Sequence, residues 1–502
     1  MRFTSLIVEL IRARPRLVFW IVVLCQALLW LAVPMLLYRG PPGDLATVLA
    51  HGREYQVGTV LGPPLAFWLA DIAFRAAGNH IFGVYLLAQV CAVLTLQAVF
   101  HLGRHIVGGP QAVIAVLLTM TITAFSWPGV EFGPLVLARP LWAMVLLYAW
   151  LAIGEGRRSA WFALSIAAGL LLLTTPHAMW LLPLPLLFGL ATPRGRRHLA
   201  SLDPLFGIVV IAALALPYAI WLMRAGIAVL PQPPVLTDLA GKAEAWGVLL
   251  GWLIAATGFA ILLCAMNWRR LVPPSDDAPM IFRPAVSPTA RLYVYAFALV
   301  PGLLGSLSAA LYGHDTVLGG SGIALVMVGL AVVVASGDLV ALRRQRVLRK
   351  VWLAAIVAPA VAVLINLAVA PWIDGPEDRT ALPAADIGRF FSESFQRRTG
   401  QTLAAVAGDQ QLAALIAMNP ARPHVLNDAQ PALTPWITPV SFTVTGGVIV
   451  WRASDTLGTP PAEIVARFPG LVPEVPRAFD RLVNGRRPPL RIGWAILRPK
   501  AP

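Results

Sequence analysis

The residues that could do chemistry in this 502-residue chain are few, and they sit beside long apolar stretches. Asp44 stands in Pro41-Pro42-Gly43-Asp44, just past the first such stretch, and Arg53 and Glu54 follow in His51-Gly52-Arg53-Glu54-Tyr55. Glu131 and Arg139 lie around the start of a later stretch, and His177 closes Thr174-Thr175-Pro176-His177. A carboxylate in a loop is either a solvated charge or part of a site, because loops carry both. Glu131 reads equally well as an acid at a helix end. An arginine at or within a bilayer is costly unless it is paired or used, which makes Arg53 and Arg139 candidates for a functional role. Their competing reading is snorkelling to headgroups. His177 either has a binding role or makes a hydrogen-bonded packing contact. His51 and Glu54 carry weaker signals, and the adjacent pair His314-Asp315 is too little for a metal site. No P-loop, GxGxxG fingerprint, HExxH motif or GxSxG elbow stands in a credible context, which argues against nucleotide-driven chemistry.

The elements that must position these residues follow from composition. Hydrophobic residues make up 58% of the chain and charged ones only 13%, half the share of an ordinary soluble domain. The apolar residues come in blocks such as 18–38, 160–190 and 351–371, long enough for one or two bilayer crossings at roughly 20 residues each. We place spans at about 18–38, 82–101, 111–127, 134–153, 159–175, 177–190, 204–223, 246–267, 292–312, 317–341 and 351–371. The expected fold is an all-α polytopic membrane protein of about eleven transmembrane helices. The first apolar stretch exceeds the roughly 7–15 residues of a cleavable signal core, so it reads as a retained anchor.

A formal charge of +15 would suggest nucleic acid in a soluble protein. Here the arginines fall in alternate gaps: Arg104, Arg157 with Arg158, Arg194 with Arg196 and Arg197, Arg269 with Arg270, and Arg343 to Lys350. That is a positive-inside pattern with a cytoplasmic N-terminus, and no nucleic-acid partner is expected. The three cysteines, Cys25, Cys91 and Cys264, all lie in apolar spans, so no disulfide framework is expected.

Eleven crossings leave the tail on the outer face. We expect a membrane domain over 1–373, a polar linker over 374–383 and a small α/β domain over 384–502. In that domain Ile387 to Met418 has helical spacing, and His424 to Leu426 and Phe442 to Trp451 read as strands, with turn signals at Asn427-Asp428 and Gly446-Gly447. Within the first outer loop, residues 65–77 mix Leu65, Phe67, Trp68 and Leu69 with Asp71 and Arg75, a pattern suited to a helix in the membrane interface.

Asp44, then His51 to Tyr55, then Gly62-Pro63-Pro64-Leu65-Ala66-Phe67-Trp68-Leu69 and Gly78 together resemble the first outer loop of glycosyltransferase family 39. That family includes protein O-mannosyltransferases and the lipid A aminoarabinose transferase, all of the GT-C membrane fold. Val130-Glu131-Phe132 through Leu137-Ala138-Arg139-Pro140-Leu141-Trp142, Leu173 to His177, Val406 to Asp409, Arg422-Pro423 and Pro435-Trp436 continue the resemblance, in order, along most of the chain. It departs from the pattern in two places. Leu45 follows Asp44 where many relatives have a second acid, and Gly62 replaces the basic residue that often precedes Pro-Pro.

The resemblance implies transfer of a sugar from a polyprenyl-phosphate-linked donor to a lipid, glycan or protein acceptor at the periplasmic face of a bacterial inner membrane. On that reading Asp44 is the general base. Glu131 is the second acid, orienting the acceptor or helping to hold a metal. Arg53 and Arg139, with Glu54 and His177, contact substrate, the cations balancing the departing phosphate. Whether a divalent cation is a cofactor is left open, as are the sugar and the acceptor. The competing reading is a non-catalytic membrane protein, either a lipid or glycan transporter or an inactive GT-C relative. A transporter should place paired charges near the bilayer midplane, whereas the polar residues here gather in outer loops. An O-antigen polymerase or ligase ranks lower, because the late outer gap, 313–316, is short.

Overall fold

The computed structural model describes residues 3–127, 130–227, 233–234, 237–267, 280–342, 344–373, 379–483, 485–486 and 488–499. Arg269, Arg270, Arg343 and the first half of the 374–383 linker, residues 374–378, lie outside the described residues.

Among the described residues, seven helices are long and apolar enough to cross a membrane: Pro15–Leu37, Phe82–Val107, Pro134–Gly154, Asp203–Ala225, Leu239–Ala256, Pro288–Tyr312 and Gln345–Trp372. Four shorter apolar helices, Gly109–Met120, Arg158–Leu172, Ala178–Ala191 and Ser321–Ala335, occupy the other expected stretches. The chain is therefore a multi-pass, mostly helical membrane protein, as apolar blocks of this length require where backbone groups can find no water. Two expected spans are broken. The 246–267 stretch is divided at Thr257 into Leu239–Ala256 and Gly258–Met266. The 317–341 stretch ends early, because β2 (Leu339–Ala341) pairs antiparallel with β1 (Met280–Phe282).

The chain forms two compact units. The first comprises residues 1–31, 88–129 and 134–361. Its helices approach closely at small residues, as expected where lipid offers no hydrophobic drive for association. Gly329 leaves no room for a Cβ against the Ala115 carbonyl and Thr119, and Gly169 packs on Leu214. Buried polar groups are satisfied locally. The Tyr293 hydroxyl donates to the Leu146 carbonyl at 2.6 Å. The buried Arg283 donates to the carbonyls of Val333 and Val334 and to Asp338 at 3.1–3.2 Å, capping the end of Val328–Ala335.

The second unit comprises residues 32–87, 130–133 and 362–502. Its centre is a five-stranded sheet in the order β4-β3-β5-β7-β6. The strands are β3 (Ala405–Gly408), β4 (His424–Leu426), β5 (Gly447–Arg452), β6 (Arg477–Phe479) and β7 (Leu490–Leu497). The β3–β4 and β3–β5 pairs are parallel; β5–β7 and β6–β7 are antiparallel. Ile387, Phe391 and Phe395 of helix Ala384–Thr399 cover one face, at the i, i+4 spacing of a helical stripe. Ala46 and Ala50 of helix Leu45–Gly52 join the same core, so the first loop contributes to the packing of the C-terminal sheet.

The tail departs from its expected local structure in two places. The Ile387–Met418 run is not one helix: Gly400, with φ +73, caps Ala384–Thr399, and β3 follows. The N-terminal half of the expected 442–451 strand is helical, Pro439–Thr445, with Pro near its start and a Thr438/Ser441 capping box. Only the half after Gly446 is extended.

Candidate functional site

Two polar clusters lie in the second unit. The first is built at Gly43-Asp44, where the chain turns into helix Leu45–Gly52. Gly43 has φ +52, a left-handed value that favours glycine, and a Cβ there would fall 2.4 Å from Glu131 Oε2. The Glu131 carboxylate thus rests directly on the Gly43 backbone. The second acid that the sequence lacks at position 45, where Leu45 is buried, is brought beside Asp44 from a different loop. Burial pushes the Glu131 carboxyl above its usual range; the nearby Asp44 charge adds to this and Arg379 opposes it.

Arg379, in the short turn Arg379–Ala381, donates from Nη1 to Asp44 Oδ1 at 2.5 Å and to the Gly43 carbonyl at 2.7 Å. The Asp44 side chain is 80% exposed and that of Arg379 35% exposed. The backbone N–H groups of Arg39 and Gly40 donate to the Thr380 carbonyl at 2.9 and 3.0 Å, tying the two segments together along the main chain as well. An open carboxylate held by a guanidinium can accept a proton, and beside it stands a second carboxyl whose burial disfavours its charge.

The second cluster begins at the other end of helix Leu45–Gly52, about 12 Å along the axis at 1.5 Å per residue. Glu54, 8% exposed at its side chain, meets His424 Nδ1 at 2.7 Å. Asp71, on helix Leu65–Ala76, is fully buried, with Arg75 Nε at 2.7 Å and Arg422 Nη2 at 2.5 Å. Neither Asp71 oxygen meets hydrogen-bond geometry, so charge at close range holds this group. Arg422 also lies over the Phe74 ring at 5.1 Å, and Arg75 over Tyr55 at 5.6 Å. Burial lowers the proton affinity of Arg53, whose Nη1 is buried without a hydrogen-bond partner. His51 Nδ1 faces the Thr47 carbonyl at 2.9 Å, its ring stands edge-on to Trp436 at 5.1 Å, and burial lowers its pKa. This cluster fastens the first loop to the C-terminal sheet.

Of the six candidates from sequence, Asp44 and Glu131 come together, while Arg53 and Glu54 belong to the second cluster. Arg139 and His177 lie in the first unit. Arg139 donates to the Ala124 carbonyl at 3.0 Å and lines a small cavity with Gln26, Thr95 and Phe125. His177 is half-buried, its backbone N–H donating to Thr175 Oγ1 at 3.3 Å. Sequence reasoning missed Arg379, which sits in a segment read as a linker, and the inward role of Asp71. The signal for Asp71 was available: an acid three positions from Phe74 and Trp68 on a strongly apolar helix. Among the described residues, no group of three or more His, Cys, Asp or Glu side chains could hold a metal ion. Asp44 and Glu131 offer two carboxylates.

A family model described as dolichyl-phosphate-mannose-protein mannosyltransferase matches residues 62–221. Among solved structures, ArnT from Cupriavidus metallidurans bound to undecaprenyl phosphate is similar with TM-score 0.60 at 13% identity, over 97% of this chain and 99% of that one. The apo form of the same ArnT gives 0.47 at 13% identity, over 96% and 99%. The oligosaccharyltransferase AglB from Archaeoglobus fulgidus, in complex with an inhibitory peptide and a dolichol-phosphate, gives 0.40 at 13% identity, over 83% and 64%. No curated protein matches the sequence. The fold of this chain is that of the GT-C glycosyltransferases, as the order of its motifs implied.

Proposed function

We propose that this chain is a glycosyltransferase that moves a sugar from a polyprenyl-phosphate donor to an acceptor at the periplasmic face of a bacterial inner membrane. Its N-terminus is cytoplasmic, and the first loop and C-terminal α/β domain, from about residue 384, are periplasmic. The observation that carries this reading is the pairing of Asp44 with Glu131 against Gly43, just after the first long apolar helix, in a chain of GT-C fold. The likeness to a structure bound to undecaprenyl phosphate supports the donor class.

In the proposed reaction the acceptor's hydroxyl or amine attacks the anomeric carbon. The bond from that carbon to the phosphate oxygen breaks, and its electrons leave with the polyprenyl phosphate. Asp44 takes the acceptor's proton as the new bond forms. Glu131, which holds its proton more tightly, orients the acceptor. Arg139, an arginine of the first unit, remains a candidate phosphate contact on the sequence resemblance alone. Arg53, Glu54 and His177 are weaker candidates for substrate contact, Glu54 being already engaged by His424.

The test is to offer purified protein in nanodiscs a panel of polyprenyl-phosphate sugars, with lipid, glycan and peptide acceptors, and to follow the donor by mass spectrometry. Release of free polyprenyl phosphate together with a glycosylated acceptor is expected. Donors left intact across the panel, by protein that is folded and monodisperse, would count against the transferase and for a non-catalytic membrane protein.

A further inference from the structure

Arg379 is the one cation among the described residues that touches Asp44, and it reaches it from the far end of the sequence. A single nitrogen, Nη1, bridges the Asp44 carboxylate at 2.5 Å and the Gly43 carbonyl at 2.7 Å. Such a contact fixes the carboxylate against its own backbone, which an ion pair between two free side chains would not do. The Gly43 backbone is at the same time braced on its other side by Glu131. The charged groups facing Asp44 among the described residues are thus Glu131 from the 130–133 loop and Arg379; the neighbouring acids Glu377 and Asp378 lie outside those residues.

We infer that Arg379 is the positioning residue of the acidic pair, holding Asp44 in one orientation against its own backbone so that it, and not Glu131, is the carboxylate presented to the acceptor. The inference rests on the reaction proposed above for its consequence, but the contact itself can be tested without turnover. Losing the guanidinium frees the Asp44 carboxylate and the Gly43 carbonyl from the nitrogen they share. Turnover falls about tenfold or more through misplacement of the base.

The experiment uses the full chain in nanodiscs, as wild type, Arg379→Ala, Arg379→Gln and Arg379→Lys. Backbone amide hydrogen exchange over residues 39–52 is read by peptide mass spectrometry at one pH, with donor consumption measured beside it. In Arg379→Ala and Arg379→Gln exchange around Gly43 and the start of helix Leu45–Gly52 rises and turnover falls. Arg379→Lys, which keeps a cation but cannot hold both oxygens through one planar group, recovers part of both. Exchange that coincides for all folded variants overturns the inference. If exchange rises as expected while wild type consumes no donor, the assignment of Arg379 stands and the transferase reading falls. If Arg379→Ala does not fold, the Gln and Lys proteins decide.

Discussion

Replacing Asp71 by Asn removes the charge that two guanidiniums share. The carboxylate is fully buried; Arg422, its closer partner, is only 8% exposed, and Arg75 is half exposed. Asn keeps the volume, so no cavity opens, and the cost falls on Arg422, left buried beside Arg53 with no counter-ion. Breaking a buried ion pair from one side costs about 3–5 kcal/mol. In a unit of roughly 200 residues, 1 kcal/mol corresponds to about 2–4 °C, so the apparent midpoint should fall by about 6–20 °C. Tryptophan fluorescence on heating, in nanodiscs, reads this directly. The double variant Asp71→Leu with Arg422→Met removes both charges, and because paired burial is no great stabiliser to begin with, it should recover most of the loss. A fall of less than 2 °C for Asp71→Asn, or a double variant as unstable as the single, would refute the claim that this pair is a buried latch.

Glu131→Gln tests the raised proton affinity of that carboxyl. Its pKa is higher in the folded protein than in the unfolded one, so its contribution to stability is fully present below the unfolded value near 4.5 and is lost as pH rises through the folded value. The variant should therefore melt above wild type at pH 8 and match it near pH 4; a difference independent of pH would contradict the assignment. Gly43→Ala imposes a left-handed conformation on a residue with a Cβ, costing about 1–2 kcal/mol. It also drives the Glu131 carboxylate from its seat, so donor consumption should fall far more than the melting point. Equal activity in this variant would argue against any role for the Glu131 contact.

The apolar architecture could be read from sequence because lipid imposes it: each expected span contains an apolar helix, and Leu65–Ala76 in the first loop is helical as its pattern implied. The breaks at Thr257 and before Leu339 could not, since they depend on neighbouring elements such as β1, which has no periodic signal of its own. In the tail, His424–Leu426 was legible as a strand, whereas the helix over Pro439–Thr445 was hidden by β-branched residues. There a Pro and a capping box override strand propensity. Asp44 and Glu131 stood out by type and place, but their meeting at Gly43 depends on a left-handed turn and on two loops 87 positions apart in the chain. Arg379 was invisible because its neighbours look like a linker, and only the fold of the second unit returns it to Asp44.

Whether Asp44 is the base of a sugar transfer is measured by comparing wild type with Asp44→Asn in nanodiscs. Both receive the same polyprenyl-phosphate sugars, and loss of the lipid-linked donor is followed by mass spectrometry. Asn keeps the size of the side chain and, at an 80% exposed position, should leave the melting point nearly unchanged. Wild type is expected to consume a donor, and equally folded Asp44→Asn to consume it at least a hundredfold more slowly. Equal consumption by both proteins would make Asp44 an ordinary loop acid and overturn its role as the base.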